Sequence, residues 1–512
     1  VSSSGSPLLA RFAAHAERAA PAIVAADTGE GGISYATLLA EAVTLGRALV
    51  DRHGGPLVGA RVALLVPSSR AYVVALLAVL FAGGVAVPLS SHHTPPELAH
   101  AMAVTTPAFA LCDAEHRGRL ETSIAAERFI ALDAVPTRAT ELPAVGADDA
   151  ALVLFTSGTT GKPKGVVLSH RGIAATLAAL ESAWSWRSDD RLVHVLPLHH
   201  THGVIVALLG ALWAGARAAL MAFDAPRVLD ALADATLLMT VPTMVTKLLE
   251  AMRSAGPETR ERWRTSTRAL RLVTCGSAAL PASLLDAFES ETGQRILERY
   301  GMTEIGMALS NEYEGPRIAG AVGRELPGVS IDIVGDDGAL VARGEAGELR
   351  VRSPQMFTAY LGDPDATAAA FDAQGRFRTG DTGVRDDAGI VRLLGRTSTD
   401  VLKSGGYKLS AIEIEDVLRE HPAIAEVAVI GVPDATWGDL VTACVVLRAG
   451  ATLDEPALRA FCKDKLAGYK QPRALVVRDA LPRTPLGKVQ KKELIAAIVG
   501  QRDAVAPRAS SS

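Results

Sequence analysis

The run AYVVALLAVLFAGGVAVPL, Ala71 to Leu89, carries no charge over a length that would cross a bilayer. Gly83, Gly84 and Pro88 interrupt it and argue against a single membrane helix. Divided at the glycine pair, the run predicts a helix of about three turns followed by a short strand, both apolar on every side. Such elements can be buried only in layers, with the strand inside a parallel sheet and the helix against its face. RVALLVP, Arg61 to Pro67, is a similar strand-like run, and runs of this kind alternate with Ala/Leu-rich stretches from Ala20 to about Val241. The expectation is a large α/β body on a mainly parallel sheet.

The pattern changes from about Gly320 to Leu394, where VGDDGAL and DDAGIVRLLG suggest short strands joined by turns, a smaller β-rich unit. Past Arg396, AIEIEDVLREH reads as a helix, AEVAVIGVP as a strand and EPALRAFCKDKL as a second helix, enough for a small α+β domain. At 512 residues the chain exceeds one ordinary core. Hydrophobic residues at 49% and charged residues at 21% fit a packed globular chain and exclude a disordered or fibrous one. The net charge of −4 gives no global attraction to nucleic acid or acidic membranes, so any basic site must be local. Cys112, Cys275, Cys444 and Cys462 lie far apart, without metal-ligand or redox spacing, and are expected to be buried apolar residues in a reducing compartment. VSSSGSPLLARF lacks the basic start and apolar core of a secretory signal. A cytoplasmic chain is expected, with the mitochondrial matrix after removal of a leader as the alternative.

The candidate chemistry begins after ALVLF, a buried strand by its composition. TSGTTGKPKG, Thr156 to Gly165, follows with hydroxyls, glycines and lysines that could turn donors toward an anion such as triphosphate. Only two residues separate Gly158 and Gly161, so it is not a Walker loop; a flexible linker is the plain alternative. LPLHHTHG, Leu196 to Gly203, offers three histidines for zinc, for pocket lining or for an ordinary loop. In ERYGMTEIGM, Tyr300 could cover a base, Thr303 bond a phosphate and Glu304 hold Mg²⁺; a capped helix start is the alternative. FRTGD ends at Asp381, which could accept both ribose hydroxyls or simply stabilise a turn. KSGGYKLS supplies paired glycines for close backbone approach, and PRTPLGKVQKKEL presents Lys488 from a Pro/Gly loop.

These motifs, in this order from about residue 155 to 490, resemble the ANL superfamily of adenylate-forming enzymes, and the resemblance spans nearly the whole chain. It implies an α/β fold: a large N-terminal domain of stacked sheets with a β-rich unit over residues 1–395, a hinge at 396–400 and a small mobile α+β domain over 401–512. It also implies that Thr156, Ser157, Gly158, Thr159, Thr160, Gly161 and Lys164 cradle ATP phosphates. Tyr300 and Gly301 would flank adenine, Thr303 would meet the α-phosphate, Glu304 would bind Mg²⁺, Asp381 would hold ribose and Arg396 would touch the nucleotide. Lys488 resembles the adenylation lysine, and Gly405 and Gly406 resemble the glycines lining the coenzyme A tunnel.

LPLHHTHG, CGSAALP and ERYGMTEIGMALS most resemble malonyl-CoA synthetases, with Cys275 standing where that group usually has Ser. The implied reaction joins malonate, with methylmalonate as a related acid, to coenzyme A through malonyl-AMP. Its substrates are small molecules, with no nucleic acid, membrane span or obligate protein partner. Thr201, His202, Ser277 and Met307 would line the acyl pocket. A buried second carboxylate needs a partner. Arg299 is the first choice and Arg317 the second. The competing readings are a synthetase for another short or medium-chain acid, or a catalytically silent nucleotide-binding scaffold.

Overall fold

The computed structural model describes residues 5–25, 32–131, 141–156, 163–405, 407–483 and 489–505. Ser157, Gly158, Thr159, Thr160, Gly161, Gly406 and Lys488 lie outside the described residues.

The uncharged run divides where the glycines predict. Ser69 caps the helix Arg70–Phe81 by accepting the Tyr72 amide, and the chain leaves that helix through Gly83 at φ +77°. That left-handed turn suits glycine and strains other residues. The chain then enters the fully buried strand Val85–Pro88, parallel to Arg61–Leu65.

Among the described residues these strands belong to a seven-stranded sheet in the order Ala359–Tyr360, Gly165–Ser169, Ala150–Phe155, Val85–Pro88, Arg61–Leu65, Phe109–Cys112 and Phe129–Ala131. Along this order the first two pairings are antiparallel and the remaining four are parallel. A nine-stranded sheet carries, side by side and parallel, Leu297–Met302, Leu272–Cys275, Leu237–Thr240, Arg191–His194, Arg217–Leu220 and Pro21–Ala25. One apolar core joins the two sheets, through residues such as Leu64, Leu77, Leu154, Leu192, Leu208 and Leu297.

Ser330–Val334, Ala346–Arg352, Phe377–Arg385 and Val391–Arg396 form an antiparallel four-stranded sheet, the β-rich unit expected from the turn-rich sequence. Beyond it, Val401–Ser404, Tyr407–Ser410, Ile424–Asp434, Gly438–Leu447 and Ala474–Val477 build a further sheet with the helices Ala411–Arg419 and Glu455–Cys462. Its apolar clusters are its own: Leu402, Ile414, Leu418 and Leu458 in one, Ile430, Val432, Leu494 and Ile498 in another. Among the described residues, no helix is long and apolar enough to cross a membrane.

The amino ends of three parallel strands share one buried charge. Asp190 accepts from Arg271 Nε at 2.6 Å and from its Nη2, from the Thr236 hydroxyl at 2.9 Å and from the Arg187 amide at 2.8 Å. Arg271 also donates to the Trp184 carbonyl at 2.9 Å. Removing one member of a buried pair leaves the other uncompensated. Asp190→Asn should therefore lower stability by about 3 to 5 kcal/mol. Urea unfolding of parent and variant measures this, and a difference below about 1 kcal/mol would show the pair to be close to neutral.

Candidate active site

Parallel strands place their carboxyl ends on one side of a sheet, and the loops leaving that side are where α/β folds build sites. ERYGMTEIGM is such an end: Leu297–Met302 turns back antiparallel as Gly306–Ser310, making a hairpin where a capped helix start was the alternative. A Cβ on Gly301 would lie 2.3 Å from the Gly306 carbonyl oxygen and from Met307 Cε, so the close turn requires glycine.

FRTGD lies opposite an irregular pairing. Glu348 faces Thr382 and Arg350 faces Arg378, so Leu349 alone stands against Thr379, Gly380 and Asp381. The Thr379 hydroxyl donates to the Leu349 carbonyl at 2.7 Å and accepts the Asp381 amide at 3.0 Å. The bulge directs Asp381 to the hairpin, where the Tyr300 hydroxyl donates to Oδ2 at 2.6 Å. Arg396 Nε stands 3.0 Å from Asp381 Oδ1, and its Nη1 donates to the Thr379 carbonyl at 2.9 Å. Burial and the Asp381 charge keep the Tyr300 proton in place by raising its pKa well above the usual phenol value.

A second group lies next to this one. The Tyr360 hydroxyl donates to Glu304 Oε1 at 3.0 Å, and Lys164 Nζ sits 4.8 Å from the centre of the Tyr360 ring and 3.8 Å from Asp363. Burial raises the Glu304 carboxyl above the usual range, against the pull of its hydrogen bonds. The last lysine of TSGTTGKPKG is thus linked through one aromatic ring to the carboxylate of ERYGMTEIGM. Tyr360 and Asp363 were not singled out in the sequence, because TAYLGDP reads only as a turn.

LPLHHTHG leads into a π-helix, His202–Leu209, continued by Gly210–Ala214. A Cβ on Gly203 would lie 2.1 Å from the Pro197 carbonyl oxygen, so this tight entry also depends on glycine. Thr201 donates its hydroxyl to Thr303 at 3.1 Å, and His202 Nδ1 lies 3.2 Å from the Ser277 hydroxyl. The other two histidines turn elsewhere. His199 packs on His200 and His93, with ring centroids 4.1 and 5.2 Å apart. Burial lowers His199 to about 2 and His200 to about 4, so both are neutral. Among the described residues no three His, Cys, Asp or Glu side chains are grouped to hold a metal.

Arg299 stands behind His202 and Ser277. It is 3% exposed, and a Cβ on Gly276 would meet its guanidinium at 2.4 Å, so the glycine leaves the space that the arginine fills. Its Nε and Nη2 have no hydrogen-bond partner among the described residues. Burial lowers it to about 10, which leaves it charged near neutral pH, and the same burial with the Arg299 charge holds His202 neutral. Ser277 adopts φ +68°, a conformation that strains a residue with a side chain. Its neighbour Cys275 is buried, and burial pushes the thiol up to about 12, which makes it inert. Glu298, on the opposite face of the strand from Arg299, accepts the Leu280 amide at 3.0 Å and fixes the CGSAALP loop.

The structure brings Thr201, His202, Ser277, Arg299, Thr303 and Met307 to one end of the nine-stranded sheet, with the Met307 amide donating to Gln355 at 2.9 Å. Arg317 is directed differently. It donates to the carbonyls of Arg295 and Tyr313, beside the amino end of the strand that bears Arg299, and is not part of this group. Gly405 turns at φ +57° between Val401–Ser404 and Tyr407–Ser410, against the Trp437 ring.

The sequence pattern of AMP-binding enzymes matches residues 10–361, and that of the AMP-binding enzyme C-terminal domain matches residues 413–488. The mitochondrial malonate–CoA ligase of Homo sapiens is 40% identical over 482 residues, covering 86% of this chain and 84% of that protein. ATP-bound MatB from Rhodopseudomonas palustris superposes with a TM-score of 0.86 at 36% identity, over 96% of this chain and 99% of its own. A malonyl-CoA ligase ternary product complex with methylmalonyl-CoA and AMP gives 0.67 at 38% identity, over 93% and 100%. With more than half its length matched and relatives at this identity, the chain belongs to the AMP-binding enzyme family.

Proposed function

We propose that the chain ligates malonate to coenzyme A in two steps. A malonate carboxylate oxygen attacks the α-phosphorus of ATP, giving malonyl-AMP and pyrophosphate; the coenzyme A thiolate then attacks the acyl carbon, and AMP leaves. The observation that carries the malonate reading is Arg299, a buried guanidinium beside His202 with two nitrogens that have no hydrogen-bond partner among the described residues. A buried cation of this kind is costly alone, and a carboxylate is its natural partner. The malonate–CoA ligase relatives support the same acid. Methylmalonate differs by one methyl and would keep the contact.

Tyr300, Asp381 and Arg396 would hold the nucleoside, with Asp381 accepting from the ribose, and Lys164 and Thr303 would face its phosphates. The site fits Mg²⁺: Glu304 is a buried carboxylate joined through the Tyr360 hydroxyl to the ring that Lys164 covers, and this ion is commonly held by one or two carboxylates together with substrate oxygens and water. Bound there, the ion would neutralise charge on phosphate oxygens.

Residues 1–395 would carry ATP and the acid, and 401–512 would swing about 396–400 to present first Lys488 and then Gly405–Gly406. The separate apolar clusters of the C-terminal sheet support a unit able to move as a body. A different arrangement of two such units would lower a superposition in the way that the product complex differs from ATP-bound MatB at similar identity.

A carboxylate panel read by pyrophosphate release, with and without coenzyme A, tests the reaction; release with other acids but not malonate would reject it. Arg299→Ala should cost roughly 10- to 100-fold in kcat/KM for malonate, the worth of a hydrogen bond to a charged group, while propionate loses little. ATP KM in the same variant separates this from damage around Tyr300. A malonate-to-propionate ratio within about threefold of the parent would remove Arg299 from the acyl site. Lys488→Ala should slow adenylation roughly 10²- to 10³-fold and spare thioester formation from supplied malonyl-AMP. Equal losses in both steps would contradict the alternating arrangement.

A further inference from the structure

The Thr379–Asp381 bulge removes backbone amides from the sheet ladder, and each must find another acceptor. The Asp381 amide is taken by Thr379. The Gly380 amide, at φ +67°, is accepted by a side chain, Glu348 Oε1, at 3.2 Å. The other oxygen of Glu348 accepts from Arg350 Nη2 at 2.8 Å. Arg350 is 7% exposed, and its Nε and Nη1 have no hydrogen-bond partner among the described residues. A buried cation therefore anchors the carboxylate, and the carboxylate anchors the Thr379–Gly380 peptide, one residue before Asp381.

We infer that Glu348 is a positioning residue for the ribose contact, holding the Gly380 peptide so that the Asp381 carboxylate faces the nucleoside. This rests on the reading of Asp381 as the ribose acceptor. The physical reason is leverage. The Gly380 backbone is free of side-chain restraint, and a rotation there moves the next carboxylate bodily. Hydrogen bonds to two hydroxyls demand placement within a fraction of an ångström. Arg396 and Glu348 hold the two sides of the Thr379–Gly380 peptide, at its carbonyl and at its amide, and the Thr379 hydroxyl holds the Asp381 amide that follows. A residue that merely stabilised the four-stranded sheet would change unfolding without changing how the enzyme distinguishes a ribose from a deoxyribose.

That distinction is the test. The full chain, with saturating malonate, is assayed by pyrophosphate release with ATP, 2′-deoxy-ATP and 3′-deoxy-ATP, and the kcat/KM ratio of ATP to each analogue is compared across variants. Asp381→Ala should abolish the discrimination. Glu348→Met keeps side-chain length but cannot accept from Gly380, and should lower the ratio roughly 10-fold, the lower end for a hydrogen bond to a charged group. Glu348→Gln retains an oxygen acceptor and should stay within about threefold of the parent. A parental ratio in Glu348→Met, with Asp381→Ala having lost it, overturns the inference and leaves the ribose reading intact. A Gln variant as impaired as the Met variant overturns the acceptor role. Discrimination that survives in Asp381→Ala rejects the ribose reading, and this inference with it. If Glu348→Met does not fold, Arg350→Met should lower the ratio in the same direction by releasing Glu348, and a parental ratio there is equally decisive against it.

Discussion

The carboxylate of Asp381 joins three parts of the chain that are distant in sequence. It receives the Tyr300 hydroxyl from the carboxyl end of a strand of the nine-stranded sheet and faces Arg396 at the start of the proposed hinge, and it stands itself on the four-stranded sheet. Its two oxygens are held separately, Oδ2 by the Tyr300 hydroxyl and Oδ1 beside the Arg396 guanidinium. The consequence concerns the reaction as a whole. ATP, the acyl adenylate and AMP share one nucleoside, so the group that holds it must remain in place while other parts exchange. As the proposed ribose acceptor, Asp381 would meet that condition, because Tyr300, Thr379 and Leu349 all precede the proposed hinge.

Arg299 imposes the opposite kind of constraint. Among the described residues its guanidinium is buried without full hydrogen bonding, which would make the arrival of an anion correspondingly favourable. His202, held neutral by burial and by that same charge, can share a proton with Ser277 without adding a second cation. A methyl group in the carboxylate's place would leave the guanidinium unpaired, so selectivity would come from the penalty on the wrong acid as much as from attraction to the right one.

Much of the fold was legible because its signals are local. The division at Gly83 and Gly84, the strand before TSGTTGKPKG and the change to short antiparallel strands after Gly320 follow from glycine geometry and hydrophobic period, and the structure has each of them. The individual motifs were far less legible. ERYGMTEIGM was open to a helix start and is a hairpin, since Gly301 and Gly306 permit a turn whose closeness no periodicity reveals. Arg299 and Arg317 looked alike in sequence, yet one faces the carboxyl end of the sheet and the other is tied to carbonyls near its amino end. Tyr360 and Glu348 carried no signal, because each acts through a partner dozens of residues away.

The hinge segment shows how local chemistry would choose a pivot for the proposed domain swing. Asp400 accepts the Arg396 amide through Oδ2 at 3.1 Å, and its Oδ1 lies 2.6 Å from Lys491 Nζ, which is also 2.7 Å from Glu415. Burial opposes the Lys491 charge, but Glu415 and Asp400 outweigh it and raise the ammonium's pKa. Glu415, Lys491 and Ala411 lie beyond the proposed hinge, so Asp400 is tied to the C-terminal unit by a buried ion pair and by the Ala411 amide on its carbonyl, and to Arg396 by two hydrogen bonds, one at Oδ2 and one from its own amide to the Arg396 carbonyl at 2.8 Å. Breaking the buried pair would cost about 3 to 5 kcal/mol, and the backbone hydrogen bond on each side about 0.5 to 1.5 kcal/mol, whereas the charged hydrogen bond to the Arg396 amide would cost about 1.5 to 3 kcal/mol. Rotation would therefore release the Arg396 contact and carry Asp400 with the C-terminal unit, which puts the turning bonds between the two residues. Arg396 would then stay with Asp381 on the nucleotide side.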